Sequence, residues 1–557
     1  MIQQLFYAAI AIALIGQTAL ACSPLNNTQG LTPGNATALI NDSLEALGGR
    51  EAIASLRGIT YESNLFRVST LMENYKLLTT DRYIVNEGTQ NVSFSFEDNF
   101  FSQRIDREFK RSDFFFFASP DLLPGSFSLV LKSGPEGYAC YTEGNNNAFI
   151  PADQTAGFAD SALTEYLLFH ALKLSPKLLL EIEKHNHTAL VVSVNGVEHP
   201  AVRDEELNVL VIFDANTYLP HIVRSFEDHA IFGITTNDLQ LSDYITVAGI
   251  QFPQHRMAIY NGNAILEDTT VAAIRADPSF PEDFFSGLDA SETETTPAPP
   301  AKIEGYSHAE IGEYWYNTFW GGEYTGTYEN VSVTQPVGEL PGVHWFLVRD
   351  SPNLQQLVLE FEDSIIVFEA PPHQTDLVIR WVNETLGKPI THLWPSHHHH
   401  DHAYDVRKYV ELGAKIIVPE VSLPLWKQIP DAQLITFTDT EPYIHSDSQM
   451  QARFLWRPEA THAIDWTYSI ITTRCPQKND TIMAYVADAW STSFAYDNAF
   501  ARYWLDQASA DGMSRNALVV PAHGEPTPLQ VLIDALGFDY PAHQPSDFLN
   551  GGNICLR

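Results

Sequence analysis

The residues best suited to chemistry lie in one histidine-rich tract, Ser-His-His-His-His-Asp-His, at positions 396–402. In an extended segment, side chains two residues apart point the same way, so His397 and His399 can share one metal ion. Asp401 and His402 fall where a helix is predicted to begin, so they point elsewhere and can hold a second ion. Neutral imidazoles and a carboxylate are suitable zinc ligands.

Three further candidate ligands follow the tract: His462, Asp488 and His523. Asp488 comes directly after the apolar run at 482–487, and His523 follows the apolar run at 519–522. Taken singly, such residues are ordinary, since a lone histidine is more often packed or exposed and an aspartate after a strand is usually a cap or a turn. A histidine-rich tract is also typical of a tag or a metal-storage patch, but a tag lies at a terminus and lacks the internal aspartate.

The pattern His-x-His-x-Asp-His at 397–402, followed in order by these three residues, resembles the metal motifs of the metallo-β-lactamase superfamily. This resemblance implies an αββα sandwich of four layers for the C-terminal half. It also implies a first ion held by His397, His399 and His462, a second ion held by Asp401, His402 and His523, and Asp488 as the bridge between them. His398 and His400 occupy the variable positions of the motif and are expected to be bystanders.

The cofactors predicted from this resemblance are two zinc ions, with other divalent metals as an alternative. A zinc ion lowers the pKa of its bound water from about 15.7 to about 7, so a hydroxide shared by the two ions is the expected nucleophile. The ions also polarise a carbonyl and stabilise the oxyanion that forms on attack. Asp401 is the predicted catalytic residue, because its carboxylate can orient the hydroxide and accept its proton.

The departures from the motif bear on the substrate. Asp488 stands where the best-known class B β-lactamases place a cysteine, which argues against antibiotic hydrolysis. Ala403-Tyr404-Asp405 replaces a glycine pair that is common in the superfamily, so the pocket floor is predicted to be bulkier. The pattern is more similar to that of glyoxalase II and lactonases, and an ester, thioester, lactone or amide bond would suit the site equally well.

The elements around the tract alternate between strands and helices. Apolar periodicity predicts strands at Val343–Val348, Gln356–Phe361, Ile365–Glu369, Ile390–Trp394 and Lys415–Val418, with helices at Leu377–Leu386 and Ala403–Leu412. A strand, a helix and a strand at this spacing predict βαβ units, so this half is expected to be α/β.

The N-terminal half has a different residue pattern. Residues 58–271 are mostly strand-like with one helical interruption at 162–182, which predicts an antiparallel β domain with a few helices. The stretch from Leu47 to Ile59 resembles the start of LolA-like lipoprotein carriers, which implies a curved sheet around a helix and an apolar cavity. A scaffold and a ligand carrier both remain open for this half. A Pro-, Thr-, Ser- and Glu-rich segment predicts a linker at 277–303 between domains at 22–276 and 304–557.

Composition and charge narrow the class of partner. The chain has 557 residues, 45% of them hydrophobic, which is typical of a folded protein with more than one domain. The formal net charge of -37 repels phosphate backbones and argues against nucleic acid as a partner. The expected substrate is therefore a small molecule.

The first 21 residues are typical of a signal peptide. An apolar run spans Leu5–Gly16, and Ala19-Leu20-Ala21 offers a cleavage pattern after Ala21, with a signal anchor as the alternative. No later run is apolar enough to cross a membrane. Eight Asn-x-Ser/Thr sequons favour a secreted glycoprotein. No cysteine pair forms a CxxC motif, and a disulfide is possible without the pairing being readable.

These observations together predict a secreted binuclear zinc hydrolase that acts on a small molecule. The alternative is a lipophilic-ligand binding protein, in which the β domain carries the function and the metal site is structural or vestigial.

Overall fold

The computed structural model describes residues 35–69, 71, 86–96, 100–111, 126–144, 156–288, 306–312, 324–477, 480–491 and 498–543. The predicted signal peptide at 1–21 lies outside these residues, and so does the predicted linker from residue 289 onward. Among the helices of the described part, none combines the length and the hydropathy needed to span a bilayer.

Two short helices open the described chain. Asn35 caps α1 (Ala36–Ala46) by accepting a hydrogen bond from the backbone N–H of Thr37. The helix buries Leu39, Ile40 and Leu44 on one face, as its apolar spacing predicts. It stops at Gly48, whose φ of +117° favours glycine and where a Cβ atom would lie 2.2 Å from the carbonyl oxygen of Gly249. The helix α2 (Arg50–Ser55) follows.

Thirteen strands of the described N-terminal half form one sheet, in which every pairing is antiparallel. The strands are β1 (Gly58–Val68), β2 (Asn86–Ser95), β3 (Ser102–Arg111), β4 (Phe127–Lys132), β5 (Tyr138–Glu143), β6 (Gly157–Phe158), β7 (His187–Val194), β8 (Val197–Asp204), β9 (Val209–Phe213), β10 (Pro220–His229), β11 (Gly233–Val247), β12 (Ile250–Tyr260) and β13 (Ala264–Ala276). Their order is β6-β5-β4-β3-β2-β1-β13-β12-β11-β10-β9-β8-β7. The predicted helical interruption is α3 (Ser161–Leu174) and α4 (Leu178–Ile182), with the break at Pro176.

Two smaller sheets follow in the C-terminal half. The first contains, in spatial and chain order, β14 (Val331–Thr334), β15 (Val343–Val348), β16 (Gln356–Glu360), β17 (Ile365–Phe368), β18 (Ile390–Trp394), β19 (Lys415–Pro419) and β20 (Leu434–Phe437). The second contains β21 (Tyr443–Ser446), β22 (Met450–Trp456), β23 (Thr467–Thr473), β24 (Ile482–Ala487), β25 (Ala517–Pro521) and β26 (Thr527–Pro528). Pairing is parallel from β17 to β20 and between β24 and β25, and antiparallel elsewhere in both sheets.

The helices of this half differ in part from the prediction. They are α5 (Thr375–Trp381), α6 (His400–Ala403), α7 (Val406–Glu411), α8 (Leu423–Trp426), α9 (Asn498–Ala510) and α10 (Leu529–Leu536). The single helix predicted at Ala403–Leu412 is wrong in extent: helix formation begins at His400, and the chain breaks near Asp405, whose N–H donates to the carbonyl of Ala370 instead. The predicted helix at Leu377–Leu386 begins earlier and ends in a π-helical turn, Val382–Leu386. The predicted βαβ layout is present, since β18 and β19 are parallel neighbours.

Two large apolar cores organise the part of the chain that the structure describes. Ile366 and Phe368 of β17 pack in a core shared with β22, β23, β24 and β25, so the two C-terminal sheets face each other. Ile365 and Val367, which point to the other side of the same strand, pack in a core with α5 and α7. This second core continues into the N-terminal sheet and its helices, so the two halves share buried apolar surface.

Candidate metal centre

The predicted ligands lie at the strand ends of the two facing C-terminal sheets. In the first sheet, β17 and β18 are parallel and end side by side, with Phe368 paired to Trp394, so the histidine tract leaves the sheet at this edge. In the second sheet, β24 and β25 are parallel and end side by side, which brings Asp488 next to His523. The connection between β22 and β23, which carries His462, lies at the same end of the second sheet, since β23 runs antiparallel to β24.

All seven predicted ligands converge into two groups, each with its ligand atoms within 4.8 Å of one another. The first group contains His397, His399, His462 and Asp488, and the second contains Asp401, His402, Asp488 and His523. Asp488 belongs to both groups. The geometry therefore places the seven side chains together, as the sequence predicts.

Asp488 is the centre of the cluster. One of its carboxylate oxygens, Oδ2, lies 3.0 Å from His462 Nε2, 2.9 Å from His402 Nε2 and 3.3 Å from His397 Nε2. The other oxygen, Oδ1, lies 2.9 Å from His523 Nε2. One carboxylate thus contacts imidazoles of both groups, which is the arrangement that a bridge between two cations requires.

Asp401 completes the second group. Its Oδ2 lies 3.0 Å from His523 Nε2 and 3.3 Å from His402 Nε2. Its Oδ1 is buried and has no hydrogen-bond partner within the described residues. A buried carboxylate oxygen without a donor is costly, and a bound cation or water would satisfy it.

The charges of the cluster suit cations. Burial, helped by neighbouring His402, lowers the pKa of His397 to about 3, so this imidazole is neutral. Burial by itself would raise the pKa of Asp488, but His402 and His523 hold it well below its usual value, so the carboxylate is ionised. Burial also opposes protonation of His523, yet Asp488 and Asp401 raise its pKa to about 10. Without a metal, the proton on His523 therefore supplies part of the positive charge that a bound cation would supply.

Glu369 is a candidate functional residue that the sequence analysis missed. It is buried, and its carboxylate lies 3.2 Å from His402 Nδ1 and accepts a hydrogen bond from the backbone N–H of Ser396. A carboxylate behind a ligand histidine fixes the tautomer and orientation of the ring. Glu369 has a φ of +68°, and its carbonyl accepts a hydrogen bond from Gln356 Nε2 at 2.7 Å. Its signal in the sequence is one acidic residue after four apolar ones, which predicts the last residue of a strand.

His398 belongs to neither group of candidate ligands, but its side chain is paired inside the protein. Its Nδ1 lies 2.6 Å from Asp465 Oδ1, and both side chains are completely buried. Asp465 lies three residues after His462, so the pair joins the loop of the first two histidines to the loop of the third. Nothing in the local sequence distinguishes Asp465 from an ordinary loop aspartate, because its role depends on a residue 67 positions away.

Thr467 makes a second tie between the same two loops. Its hydroxyl donates to the carbonyl of Ser396 at 2.6 Å and accepts from Trp394 Nε1 at 3.0 Å, and its N–H also donates to the Ser396 carbonyl. His400, the other expected bystander, is also completely buried and contacts His229 of β10.

Comparison with known proteins gives weak similarities. No protein-family model matches the chain, and no curated protein matches it. Among solved structures, a metallo-β-lactamase from Pontibacter korlensis shares 14% identity over 37% of this chain and 97% of its own, with a TM-score of 0.29. One from Hirschia baltica shares 18% identity over 37% and 96%, also at 0.29.

A solved structure of another family is similar to this chain over a comparable length. A DUF1329 family protein from Desulfovibrio piger shares 11% identity over 46% of this chain and 98% of its own, with a TM-score of 0.30. At such values the similarities establish no activity for this chain.

Proposed function

We propose that the chain is a metal-dependent hydrolase that binds two divalent cations and cleaves a small molecule. One observation carries this proposal: seven histidine and aspartate side chains from four separate segments converge into two groups that share Asp488. Charged and polar groups of this kind are rarely gathered in a protein interior without a task, because their burial is costly.

The donor set fits the proposed metals. His397, His399 and His462 would hold one cation, Asp401, His402 and His523 would hold the other, and Asp488 would bridge them. Imidazole nitrogens and carboxylate oxygens are ligands that zinc accepts readily, while other divalent metals also bind such sets. The unpartnered Oδ1 of Asp401 is the specific feature that a cation or its water would satisfy.

Two bound cations would supply Lewis acidity, which polarises a carbonyl and lowers the pKa of water to about 7. The chain's own groups supply the rest. Asp401 is partly exposed beside His523, so its carboxylate can orient water and hold the proton released on attack. Among the candidate ligands, His462 and His523 have the two most accessible imidazoles, with side chains 22% and 16% exposed, so a substrate would approach the metals beside them.

The substrate class follows from charge and chemistry. An ester, thioester, lactone or amide offers the carbonyl that such a centre polarises. The net charge of -37 argues against a phosphodiesterase or nuclease acting on nucleic acid, because an anionic surface repels the phosphate backbone.

We also propose that the two C-terminal sheets and their helices form the four-layer αββα arrangement, and that the protein is secreted. Secretion is supported by the disulfide bond of Cys475, since disulfides persist in oxidising compartments. Among the sequons in the described residues, the asparagines at 35, 41, 91, 186 and 383 are exposed, as glycosylation requires.

An apolar cavity in the N-terminal half favours a second candidate function, the binding of a lipophilic ligand. It has a volume of about 50 Å³ and lies between the sheet and the helices α2 and α4, lined by Ile53, Leu179, Val223, Leu241 and Phe252 among others. Its largely apolar lining would accept an alkyl group and disfavour a charged one. In this alternative, the metal centre is structural or vestigial.

Metal analysis and a substrate panel distinguish the two functions. The wild type and His399→Ala would be purified, loaded with zinc, and assayed on esters, thioesters, lactones and amides. About two zinc ions per chain and turnover that His399→Ala abolishes support the hydrolase. Absence of both, with lipid extracted from the purified protein, would support the carrier instead.

A further inference from the structure

The hairpin between β10 and β11 reaches from the N-terminal sheet to the metal-binding loop. Its turn places Ile231 and Phe232 in the buried core that also contains Ala403 and Tyr404, directly after the ligand His402. His229, the last residue of β10, is completely buried and stacks on Phe232 at a centroid distance of 4.9 Å. This part of the N-terminal sheet therefore packs against the back of the histidine tract.

The hydrogen bonds of His229 determine which of its ring nitrogens carries the proton. Burial, helped by the charge of Arg407, lowers the pKa of His229 to about 3, so its ring is neutral. Its Nδ1 accepts a hydrogen bond from the backbone N–H of Ile231 at 3.1 Å. The ring proton must then lie on Nε2, which is 3.4 Å from Nε2 of His400. His229 therefore donates, and His400 accepts.

Arg407 makes a second tie at the same place. This residue lies on α7, just after the metal-binding loop, and its Nη1 donates to Asp228 Oδ1 at 3.0 Å and to the carbonyl of His229 at 3.2 Å. The tip of the hairpin thus holds both the first residue of α6 and the helix that follows it.

We propose that His229 is a positioning residue of the metal centre, which acts through His400 to fix the start of α6. His400 is the first residue of that short helix, and the next two residues are Asp401 and His402. A helix of four residues has little stability of its own, so contacts to its first residue decide how those two side chains are aimed. The N-terminal sheet is then a working part of the metal centre.

This inference rests on the proposed metal site, and Co²⁺ binding tests the two separately. Wild type, His229→Phe and His229→Gln would be titrated with Co²⁺ while its visible absorption spectrum, which reports ligand geometry, is recorded. Phe keeps a ring but has no N–H, whereas Gln keeps a donor near the position of Nε2. His221→Phe, at the other end of β10, is the matched control.

We expect His229→Phe to weaken Co²⁺ binding about tenfold and to change the spectrum, as loss of supporting contacts to metal ligands commonly does. His229→Gln should recover most of the affinity, and His221→Phe should match the wild type. If His229→Phe does not fold, Asp228→Asn, which loosens the Arg407 tie from the surface, should weaken binding severalfold. Wild-type affinity and spectrum in the His229 and Asp228 variants would overturn the inference, whereas a wild type that binds no Co²⁺ would overturn the proposed metal site itself.

Discussion

At the scale of single residues, the carboxylate of Asp488 is the group that links the candidate ligands to one another. Its two oxygens reach His397, His402, His462 and His523, so it joins both groups of candidate ligands. A neutral amide in its place would keep the shape but remove the charge that two cations need between them.

Asp488→Asn is therefore expected to lower the metal content from about two ions per chain to below one and to reduce turnover roughly 100-fold. Elemental analysis of the purified variant measures the first effect, and steady-state kinetics the second. Asp439→Asn, at an exposed position, is the control and should behave as the wild type. Two ions per chain in Asp488→Asn would contradict the shared-ligand assignment.

The raised pKa of His523, about 10, gives the centre a definite pH dependence. Without metal, protonation of His523 stabilises the fold fully below the unfolded value of about 6.5, and that contribution is lost as the pH rises through about 10. A cation must displace this proton, so metal affinity should increase with pH. Calorimetric titration with zinc at pH 8, in two buffers of different ionisation enthalpy, should detect proton release. Equal heats in both buffers would count against this account.

The buried pair of His398 and Asp465 makes a separate prediction at this scale. Asp465→Ala leaves the buried His398 Nδ1 without its partner, which should cost about 2–3 kcal/mol of unfolding free energy. Asp465→Asn keeps an oxygen in the same place and should cost less. Urea unfolding measures both variants, and equal stability of Asp465→Ala and the wild type would show that the pair contributes nothing.

At the scale of elements, the connection between β22 and β23 has two tasks. It supplies His462, and through Asp465 and the adjoining Thr467 it holds the loop that carries the other histidines. The relative position of the two loops therefore does not depend on a metal alone.

Thr467→Val tests whether these contacts position the loop that carries the histidines. Valine has nearly the same shape, but its loss of the hydroxyl leaves Trp394 Nε1 without its acceptor and removes one of two donors to the Ser396 carbonyl. We expect a loss of about 1–3 kcal/mol in unfolding free energy and weaker zinc binding. Thr436→Val, on an exposed position of β20, is the matched control. Zinc affinity that is unchanged by Thr467→Val would mean that the contacts of Thr467 do not position the ligands.

At the scale of the whole molecule, the two halves are joined by a continuous apolar core and by polar contacts at its edge. The core extends from the N-terminal sheet to Tyr409 and Trp426 of the C-terminal half. Arg407 pairs with Asp228, and Asn261 donates to Gln428. Such shared burial couples the folding of the two halves.

We therefore expect one cooperative thermal transition and not two, measured by differential scanning calorimetry. Zinc at 100 times its dissociation constant should stabilise the protein by about 2.7 kcal/mol, and a chelator should remove this gain and shift the whole transition to lower temperature. Two separate transitions, of which only one responds to the chelator, would contradict the coupling.

Much of the candidate site could be predicted from the sequence. The seven residues follow one another in a motif order, and the period of a strand and the start of a helix are local properties that spacing encodes. Strands such as Val343–Val348 and Ile390–Trp394 were also predicted with their observed bounds, because turn-forming residues such as Gly342, Pro389 and Pro395 flank these short runs. The extents of α5, α6 and α7 were not, since hydrogen bonds such as that from Asp405 to Ala370 decide where a short helix breaks.

The sequence by itself thus determined which residue types are available and where along the chain they stand. Only the tertiary structure decided that Asp488 contacts both histidine groups, that Glu369 backs His402, that Asp465 pairs with His398, and that His229 reaches His400 from another sheet. The physical reason is that these contacts depend on strand register and sheet packing, which bring together residues as far as 171 positions apart. No local period or spacing carries that information.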